Sequence, residues 1–288
     1  MSDRIVAGDW FAIGLYRGPS PTELRPASHI TNPILTYRDV TDGAALFVAD
    51  PFLIRHDGRW YLFFEVLDDR TYKGEIAVAV SEDGHAWRYE GRVLVADCNL
   101  SYPHVFAWND DIYMVPETHQ RNRVDLYRAV SFPHAWQVVT TLLHDTPAVD
   151  ASPFSFDDRW WMFTCNRPEH HDELRLYHAE ELEGPWREHP NSPLRTDDPR
   201  ASRPAGRVVI ADGRPIRFAQ NCRPHYGAAV CAFEVTTLDR EQYRERPIVG
   251  SPLRELQPWN RVAHHHVDAH RLDDGSWLAV VDGYWHRH

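Results

Sequence analysis

The sequence predicts one all-β domain over residues 1–288, a five-bladed β-propeller whose last blade is closed by N-terminal strands. Three observations predict this fold: a hairpin pattern that occurs five times, a strand unit between the hairpins, and an N-terminal copy of that unit. Hydrophobic patterns with the period of a helix are nearly absent. Sequence repeats of about 50 residues are typical of the four-stranded blades of propellers.

Each hairpin has an apolar strand, a tight turn and an aromatic-rich strand. The five copies are DPFLIRHDGRWYLFFE (50–65), YPHVFAWNDDIYMVPE (102–117), SPFSFDDRWWMFTCN (152–166), RPAGRVVIADGRPIRFAQN (203–221) and HHHVDAHRLDDGSWLAVVD (264–282). Asp and Asn open the turns because they tolerate positive φ, which predicts tight hairpins. The turns begin at Asp57, Asn109, Asp157, Asp212 and Asp274, which are 52, 48, 55 and 62 residues apart. This spacing equals the length of one blade.

A second unit, an apolar strand followed by a turn and an aromatic residue, predicts the two outer strands of each blade. Its copies are EIAVAVSEDGHAW (75–87), VDLYRAVSFPHAW (124–136), LRLYHAEELEGPW (174–186) and the degenerate AAVCAFEVTTLDREQY (228–243). The fifth hairpin has no such unit after it, but WFAIGLYRG (10–18) contains the same LYR element as residues 126–128. N-terminal strands are therefore expected to complete the last blade and remove open sheet edges.

The predicted blades cover residues 44–97, 98–145, 146–195, 196–255, and 256–288 together with 5–20. The alternative all-β architecture, a sandwich, does not explain five equal units and one displaced fragment.

Composition narrows the class of partner. A net charge of −11 disfavours nucleic acid, because an acidic surface repels phosphate groups. The N-terminal residues lack the apolar run of a signal peptide, and no segment is apolar enough to span a bilayer. We therefore expect a cytoplasmic protein in which Cys98, Cys165, Cys222 and Cys231 are reduced thiols. The 11 Trp and 12 Tyr residues are expected to fill space between sheets, with some of them available as platforms for sugars.

Propeller geometry predicts where a site would lie. The innermost strand of a blade starts at the end where the next strand finishes, because the two strands are antiparallel. Polar residues recur at these positions: Asp50 and Glu65; Tyr102, His104 and Glu117; Asp150, Cys165 and Asn166; Arg203, Gln220 and Asn221; His265, His266, Asp268 and Asp282. One interpretation is that they hold neighbouring strand ends together, which suits Glu65, Asn166 and Asp282.

The other interpretation is a functional site. So many ionisable groups near an axis are costly to bury unless they are paired or used. Neighbouring carboxylates also shift one another's pKa values, so that one group stays protonated while the other is charged, as general acid–base chemistry requires.

Several segments together resemble a known family. FVADPFLIRHDGRWYLFFE, NLSYPHVFAWNDDIYMVPET, LYRAVSFPHAW, LYHAEELEGPW, SRPAGR and AVVDG are similar to the N-terminal propeller domain of glucosamine inositolphosphorylceramide transferases, from about Trp10 to Trp285. The glycosyltransferase domain that follows this propeller in the plant proteins has no counterpart in these 288 residues.

More distantly, the chain resembles the family-43 glycoside hydrolases. That likeness implies a general base at Asp50 of ADPF, whereas blade two starts with Tyr102-Pro103-His104 and blade three with Asp150 or Ser152 in place of the family's Asp and Glu.

The stretch HHHVDAH (264–270) raises the question of a metal. On a strand, His264, His266, Asp268 and His270 would share one face and His265 the other. Alternating His and Asp could hold one axial divalent cation near His266 and Asp268. No CxxC or HExxH spacing supports a zinc site, so we predict that the histidines bind a ligand and that no cofactor is needed.

The function predicted from these residues is hydrolysis or transfer at a glycosidic bond of a sugar or polyhydroxylated metabolite. Asp50 would be the base or nucleophile, Glu117 the proton donor, and Asp150 the residue that tunes a pKa or binds hydroxyls. Arg203 and His265 would grip the substrate, together with the other polar residues of the ring. Two alternatives stay open: a lyase, dehydratase or cyclase of small-molecule biosynthesis, and a non-catalytic sugar-binding module.

Overall fold

The computed structural model describes residues 11–285; residues 1–10 and 286–288 lie outside the described part. Trp10 of the displaced copy and residues 5–10 and 286–288 of the predicted last blade therefore lie outside the described residues. Between residues 11 and 285 the only helical segments are three short 3₁₀ helices, Tyr37–Asp39, His119–Arg121 and Pro258–Asn260. None of them has the length and apolar character that crossing a bilayer requires.

Twenty strands form five antiparallel sheets of four strands, which confirms the five-bladed propeller. In chain order the strands are β1 (Ala12–Gly18), β2 (Arg25–Pro26), β3 (Ala45–His56), β4 (Arg59–Asp68), β5 (Gly74–Ser81), β6 (Arg88–Leu94), β7 (Ser101–Trp108), β8 (Asp111–Glu117), β9 (Val124–Ser131), β10 (Ala135–Leu143), β11 (Val149–Ser155), β12 (Trp160–Cys165), β13 (Leu174–Ala179), β14 (Arg187–Glu188), β15 (Val209–Ala211), β16 (Arg214–Asn221), β17 (Ala229–Leu238), β18 (Tyr243–Ile248), β19 (Val267–Arg271) and β20 (Trp277–Gly283). Blades I to IV are β3–β6, β7–β10, β11–β14 and β15–β18, and blade V has the order β19-β20-β1-β2.

Blade V is completed by the start of the chain, as the displaced LYR copy predicts. β1 pairs with β20 over seven residues, from Ala12 opposite Gly283 to Gly18 opposite Trp277. Leu15 of this strand is fully buried and packs between blades V and I. The first strand thus covers the edge of β20 and closes the ring.

The apolar core is a ring of clusters, each lying between two neighbouring blades. Trp160 and Trp161 sit side by side on β12 and point to opposite faces, so that one packs toward blade II and the other toward blade IV. Trp277 fills the space between blades IV and V. These tryptophans fill space between sheets, as expected from the composition.

The propeller axis is crossed by the side chain of Arg207, which lies just before β15. Its Nε atom donates to Oδ1 of Asp268 in blade V at 2.7 Å. One terminal nitrogen donates to the carbonyl oxygens of Leu53 in blade I, at 3.2 Å, and Val105 in blade II, at 2.7 Å. One side chain thereby ties together three blades and the connection to a fourth; we call Arg207 and Asp268 the axial brace.

Tyr102 makes a second connection across the axis. Its hydroxyl lies 2.7 Å from Oγ of Ser152 in blade III and accepts from the Gly206 amide at 2.7 Å. Gly206 has φ +122°, and a Cβ there would overlap the Val267 carbonyl, so only glycine fits between blades IV and V. The inner strands are thus held together at the axis as well as at their faces.

Candidate active site

A bulge that is repeated in blades I, II and III builds one end of the axis. In each blade the regular pairing between the first two strands is interrupted, and two residues of the first strand lie opposite one residue of the second. The residue after the last regular pair has positive φ: Asp50 at 51°, Tyr102 at 46° and Asp150 at 53°. The regular partners before the bulge are Ala49 with Glu65, Ser101 with Glu117, and Val149 with Cys165. The bulges therefore bring these groups to one end of the ring.

Carboxylates at this end accept hydrogen bonds from backbone amides of the next blade. Asp282 of blade V accepts from the amide of Asp50 at 3.3 Å, and Asp50 accepts from the amide of Tyr102 at 3.2 Å. Glu117 of blade II accepts from the amide of Asp150 at 3.3 Å. Holding strand ends together is thus one role of Asp50, Glu117 and Asp282.

Asp150 is held by the side chains of Arg203 and Gln220. Arg203 Nε donates to one carboxylate oxygen at 2.5 Å and its terminal nitrogen to the other at 3.3 Å, while Gln220 donates at 2.9 Å. A second terminal nitrogen of Arg203 lies 2.9 Å from Nδ1 of His171, and the Tyr226 ring covers the guanidinium at 5.1 Å. Arg203 therefore positions Asp150, and few of its donors remain for a ligand.

The adjacent histidines His265 and His266 are both buried, but their pKa values shift in opposite directions. Nδ1 of His265 lies 2.6 Å from Asp282 and its Nε2 lies 3.5 Å from Asp50. Burial lowers the pKa of His265, but Asp282 and Asp50 outweigh burial and the net pKa is raised. Burial lowers the pKa of His266 to about 4 and outweighs Asp282, Asp268 and a backbone hydrogen bond to Pro51, which raise it. His266 is thus neutral, and its fully buried ring packs against Phe52 and Tyr102.

The pKa values of the axial carboxyl groups Asp50, Glu65, Glu117, Asp150 and Asp282 shift in different directions. Burial raises the pKa of Asp150 to about 8, although Arg203 opposes this shift. Burial raises the pKa of Asp50 to about 6, with further contributions from Asp282 and Glu117. Burial, reinforced by four neighbouring carboxylates, raises the pKa of Glu65 well above its usual value. Burial also raises the pKa of Glu117, but the His119 hydrogen bond and Arg203 outweigh it and the net pKa is lowered.

Glu117 has contacts that favour its charged form. Its Oε1 atom lies 2.6 Å from Nδ1 of His119, and Oε2 lies 3.7 Å from Arg203. The pKa of His119 is raised, chiefly by the hydrogen bond to Glu117. A proton donor must be neutral before it acts, so these contacts oppose the donor role that the sequence predicts for Glu117.

Two predicted residues lie deeper along the axis. His104 pairs with Val115, and Asp268 pairs with Val280. These partners are two residues before Glu117 and Asp282 in their strands. Two strand residues span about 7 Å, which places these side chains one layer below the carboxylate end. Asp268 is fully buried and bonds to Arg207, the Leu53 amide and His270. His104 stacks on Phe52, so both residues belong to the core of the axis.

The remaining predicted residues hold local structure. Asn166 accepts from Thr164 at 2.7 Å and donates to Tyr177 at 2.9 Å, while Asn221 accepts from the Arg223 amide at 3.0 Å. Cys165 is buried at the strand end.

The cation predicted as an alternative near His266 and Asp268 would compete with the Arg207 guanidinium for Asp268. A different set, Asp50, His265 and Asp282, has one donor atom each within 4.8 Å of one another. The strand expected over 264–270 begins only at Val267, so His264 to His266 are not on the regular strand face. The raised pKa of His265 lets this ring act as the positive partner of both carboxylates.

Sequence reasoning missed an aromatic rim above the carboxylates. The rings of Tyr226 and Phe11 contact His265 at centroid distances of 5.2 and 4.4 Å, and Tyr226 also contacts His171 at 5.1 Å. A signal was present, because the loops after β12 and β16 share an Arg-Pro pair, in RPEHH and RPHYG. The equivalent loops of blades III and IV thus meet above Arg203.

The fold and this end of the axis define a five-bladed β-propeller with an axial site of carboxylates, imidazoles and one arginine. The chain belongs to the family described as glucosamine inositolphosphorylceramide transferase 1, N-terminal, which matches residues 4–284.

Two curated relatives, both glucosamine inositolphosphorylceramide transferase 1, come from Oryza sativa subsp. japonica and Arabidopsis thaliana. The rice protein is 36% identical to this chain and the Arabidopsis protein 30%. Each alignment covers 96% of this chain, but only 40% and 39% of the length of the two relatives. The chain therefore spans about two fifths of the length of these relatives.

Solved structures share the fold at low sequence identity. A glycosyl hydrolase from Bacteroides ovatus has a TM-score of 0.65 and 9% identity, covering 89% of this chain and 92% of that one. A family 117 glycoside hydrolase from Zobellia galactanivorans has a TM-score of 0.57 and 14% identity, covering 83% and 90%. An exo-beta-1,3-galactanase from Clostridium thermocellum has a TM-score of 0.60 and 11% identity, covering 84% and 62%. These similarities show the fold alone.

Proposed function

We propose that this domain is a carbohydrate-active enzyme that cleaves or transfers a glycosidic bond at the carboxylate end of the axis. One observation carries the proposal: buried carboxyl groups that favour opposite protonation states lie together in one cluster. Glycosidic bond cleavage uses such a pair, a neutral acid that protonates the leaving oxygen and a carboxylate that activates water or attacks the sugar. The names of the relatives, which include glucosamine and glycoside hydrolases, agree with a sugar substrate.

Asp50 is the base or nucleophile in this proposal. The bulge presents its carboxylate to the axis, and His265 and His266 lie 3.5 and 3.8 Å from Oδ1. With a pKa raised to about 6 by burial, Asp50 is mostly ionised at pH 7 yet basic enough to accept a proton. Asp150, fixed by Arg203, is oriented to accept hydrogen bonds from sugar hydroxyls.

Substrate binding is assigned to the aromatic rim. The rings of Tyr226, which is 40% exposed, and Phe11 offer apolar platforms for sugar C–H groups.

A sugar-binding module without turnover is the second candidate. It is favoured by the backbone amides that already occupy Asp50, Glu117 and Asp282. The two candidates differ in whether Asp50 must be basic.

Release of nitrophenol from a panel of 4-nitrophenyl α- and β-glycosides, including glucosaminides and galactosides, tests the proposal. Asp50→Asn is expected to lower turnover by about 100-fold or more, because the amide keeps the shape but not the basicity. The matched control is Asp57→Asn, the same change at a positive-φ turn at the opposite end of blade I.

A binding module is indicated if calorimetry detects sugar binding while no glycoside is cleaved. Product analysis by mass spectrometry separates hydrolysis from elimination, since only hydrolysis adds water.

A further inference from the structure

Glu65 occupies a special place among the axial carboxyl groups. It is the last regular partner of Ala49, so it lies beside the bulge that presents Asp50. The residue is buried, with 8% of its surface exposed. On its other side is Gly74 at the start of β5, where a Cβ would overlap Oε1 of Glu65. A glycine at this position therefore leaves the space that the carboxyl group occupies.

Glu65 has no polar partner among residues 11–285, in contrast to the other four axial carboxyl groups. Asp50 and Asp282 contact His265, Glu117 contacts His119, and Asp150 contacts Arg203. Within the described part of the chain, no ion pair and no hydrogen bond compensates a charge on Glu65. A buried carboxylate without compensation is strongly disfavoured, so such a group keeps its proton.

The neighbouring charges act in the same direction. Burial raises the pKa of Glu65, and the charges of Asp50, Glu117, Asp150 and Asp282 each raise it further. A charged Glu117 held by His119 and a neutral Glu65 form two carboxyl groups in different protonation states at one site.

We propose that Glu65, and not Glu117, is the proton donor to the leaving group, an inference that rests on the glycosidic reaction proposed above. The Glu65 proton moves to the glycosidic oxygen as the bond from that oxygen to the anomeric carbon breaks, which leaves Glu65 as a carboxylate. Water adds to the anomeric carbon and gives one proton to Asp50, and solvent returns a proton from Asp50 to Glu65. The sum is glycoside plus water to free sugar plus alcohol.

Infrared spectroscopy at pH 7 tests the protonation without a substrate. Burial raises the pKa of Asp150 to about 8, so more than one band from protonated, buried carboxyl groups is expected. One of these bands should be lost in Glu65→Gln and retained in Glu117→Gln. A Glu65→Gln spectrum that keeps every band of the wild type, or a wild type without any such band, overturns the proposal. Circular dichroism and the melting temperature of both variants establish that the fold is kept.

Leaving-group dependence tests the catalytic role. A donor is needed for a methyl glycoside, whose leaving group is a poor one, and much less for the 4-nitrophenyl glycoside of the same sugar. Glu65→Gln should lose about 100-fold or more on the methyl glycoside and about 10-fold or less on the nitrophenyl glycoside. Equal losses on both substrates overturn the donor role and leave the proposed function standing. A wild type that cleaves neither substrate overturns both.

Discussion

The axial brace makes a quantitative prediction about stability. Arg207→Met removes the guanidinium that bonds Asp268 and the carbonyls of Leu53 and Val105. The Asp268 side chain is 0% exposed, so its charge is left buried with only His270 and one amide for compensation. Removing one partner of a buried ion pair costs about 3–5 kcal/mol. We expect a loss of that size in the free energy of unfolding.

Urea unfolding, followed by tryptophan fluorescence and circular dichroism, measures this loss. The double variant Arg207→Met/Asp268→Asn should recover part of it, because the second change removes the uncompensated charge. The matched control is Arg59→Met, whose ion pair with Glu82 is exposed and is worth about 1 kcal/mol or less. An Arg207→Met protein within about 1 kcal/mol of the wild type would show that the brace is not stabilising.

The contribution of the brace depends on pH. Burial raises the pKa of Asp268, but Arg207, His270 and the Leu53 amide outweigh burial and hold the pKa well below its usual value. A carboxyl with a depressed folded-state pKa stabilises the protein above its unfolded pKa of about 4 and loses that effect as the pH falls. The difference between wild type and Arg207→Met should therefore shrink below about pH 4.

Three further predictions concern the ring closure and the site. Leu15→Ala should lower the free energy of unfolding by about 2–5 kcal/mol, as expected for a buried core leucine. Val138→Ala, at a residue 48% exposed, should change the free energy of unfolding by about 0.5 kcal/mol or less. Equal effects of the two substitutions would contradict closure of the ring by β1. Tyr226→Ala should raise KM about 5- to 10-fold with kcat nearly unchanged, and a fall in kcat at constant KM would refute a role in binding. Activity should survive EDTA; loss that a single divalent ion restores would place a metal at the axis.

The ring of candidate positions followed from the sequence because strand order and antiparallel pairing determine which residues share an end. The sequence did not predict how deep each side chain lies along the axis. Asp268 and His104 are shifted by two residues along their strands, which keeps them on the same strand face but places them in a deeper layer. The charge state of Glu117 depends on His119, which lies in the loop beyond the strand end. Tyr226 and His171 also come from loops, whose conformations the strand pattern does not determine. Cytoplasmic location and independence of a cofactor stay predictions.

The repeated bulge places different side chains on the same backbone conformation. At Asp50, Tyr102 and Asp150 the backbone requires positive φ, which costs most residues about 1–2 kcal/mol and costs Asp, Asn and Gly less. Positive φ is least favourable at Tyr102, and the hydrogen bonds of its hydroxyl across the axis offset that conformational cost. Exchange of Asp for Asn at Asp50 or Asp150 would remove an ionisable group while keeping an acceptor oxygen and a residue that tolerates positive φ. A single substitution at either position therefore changes the chemistry of the site without changing the backbone conformation.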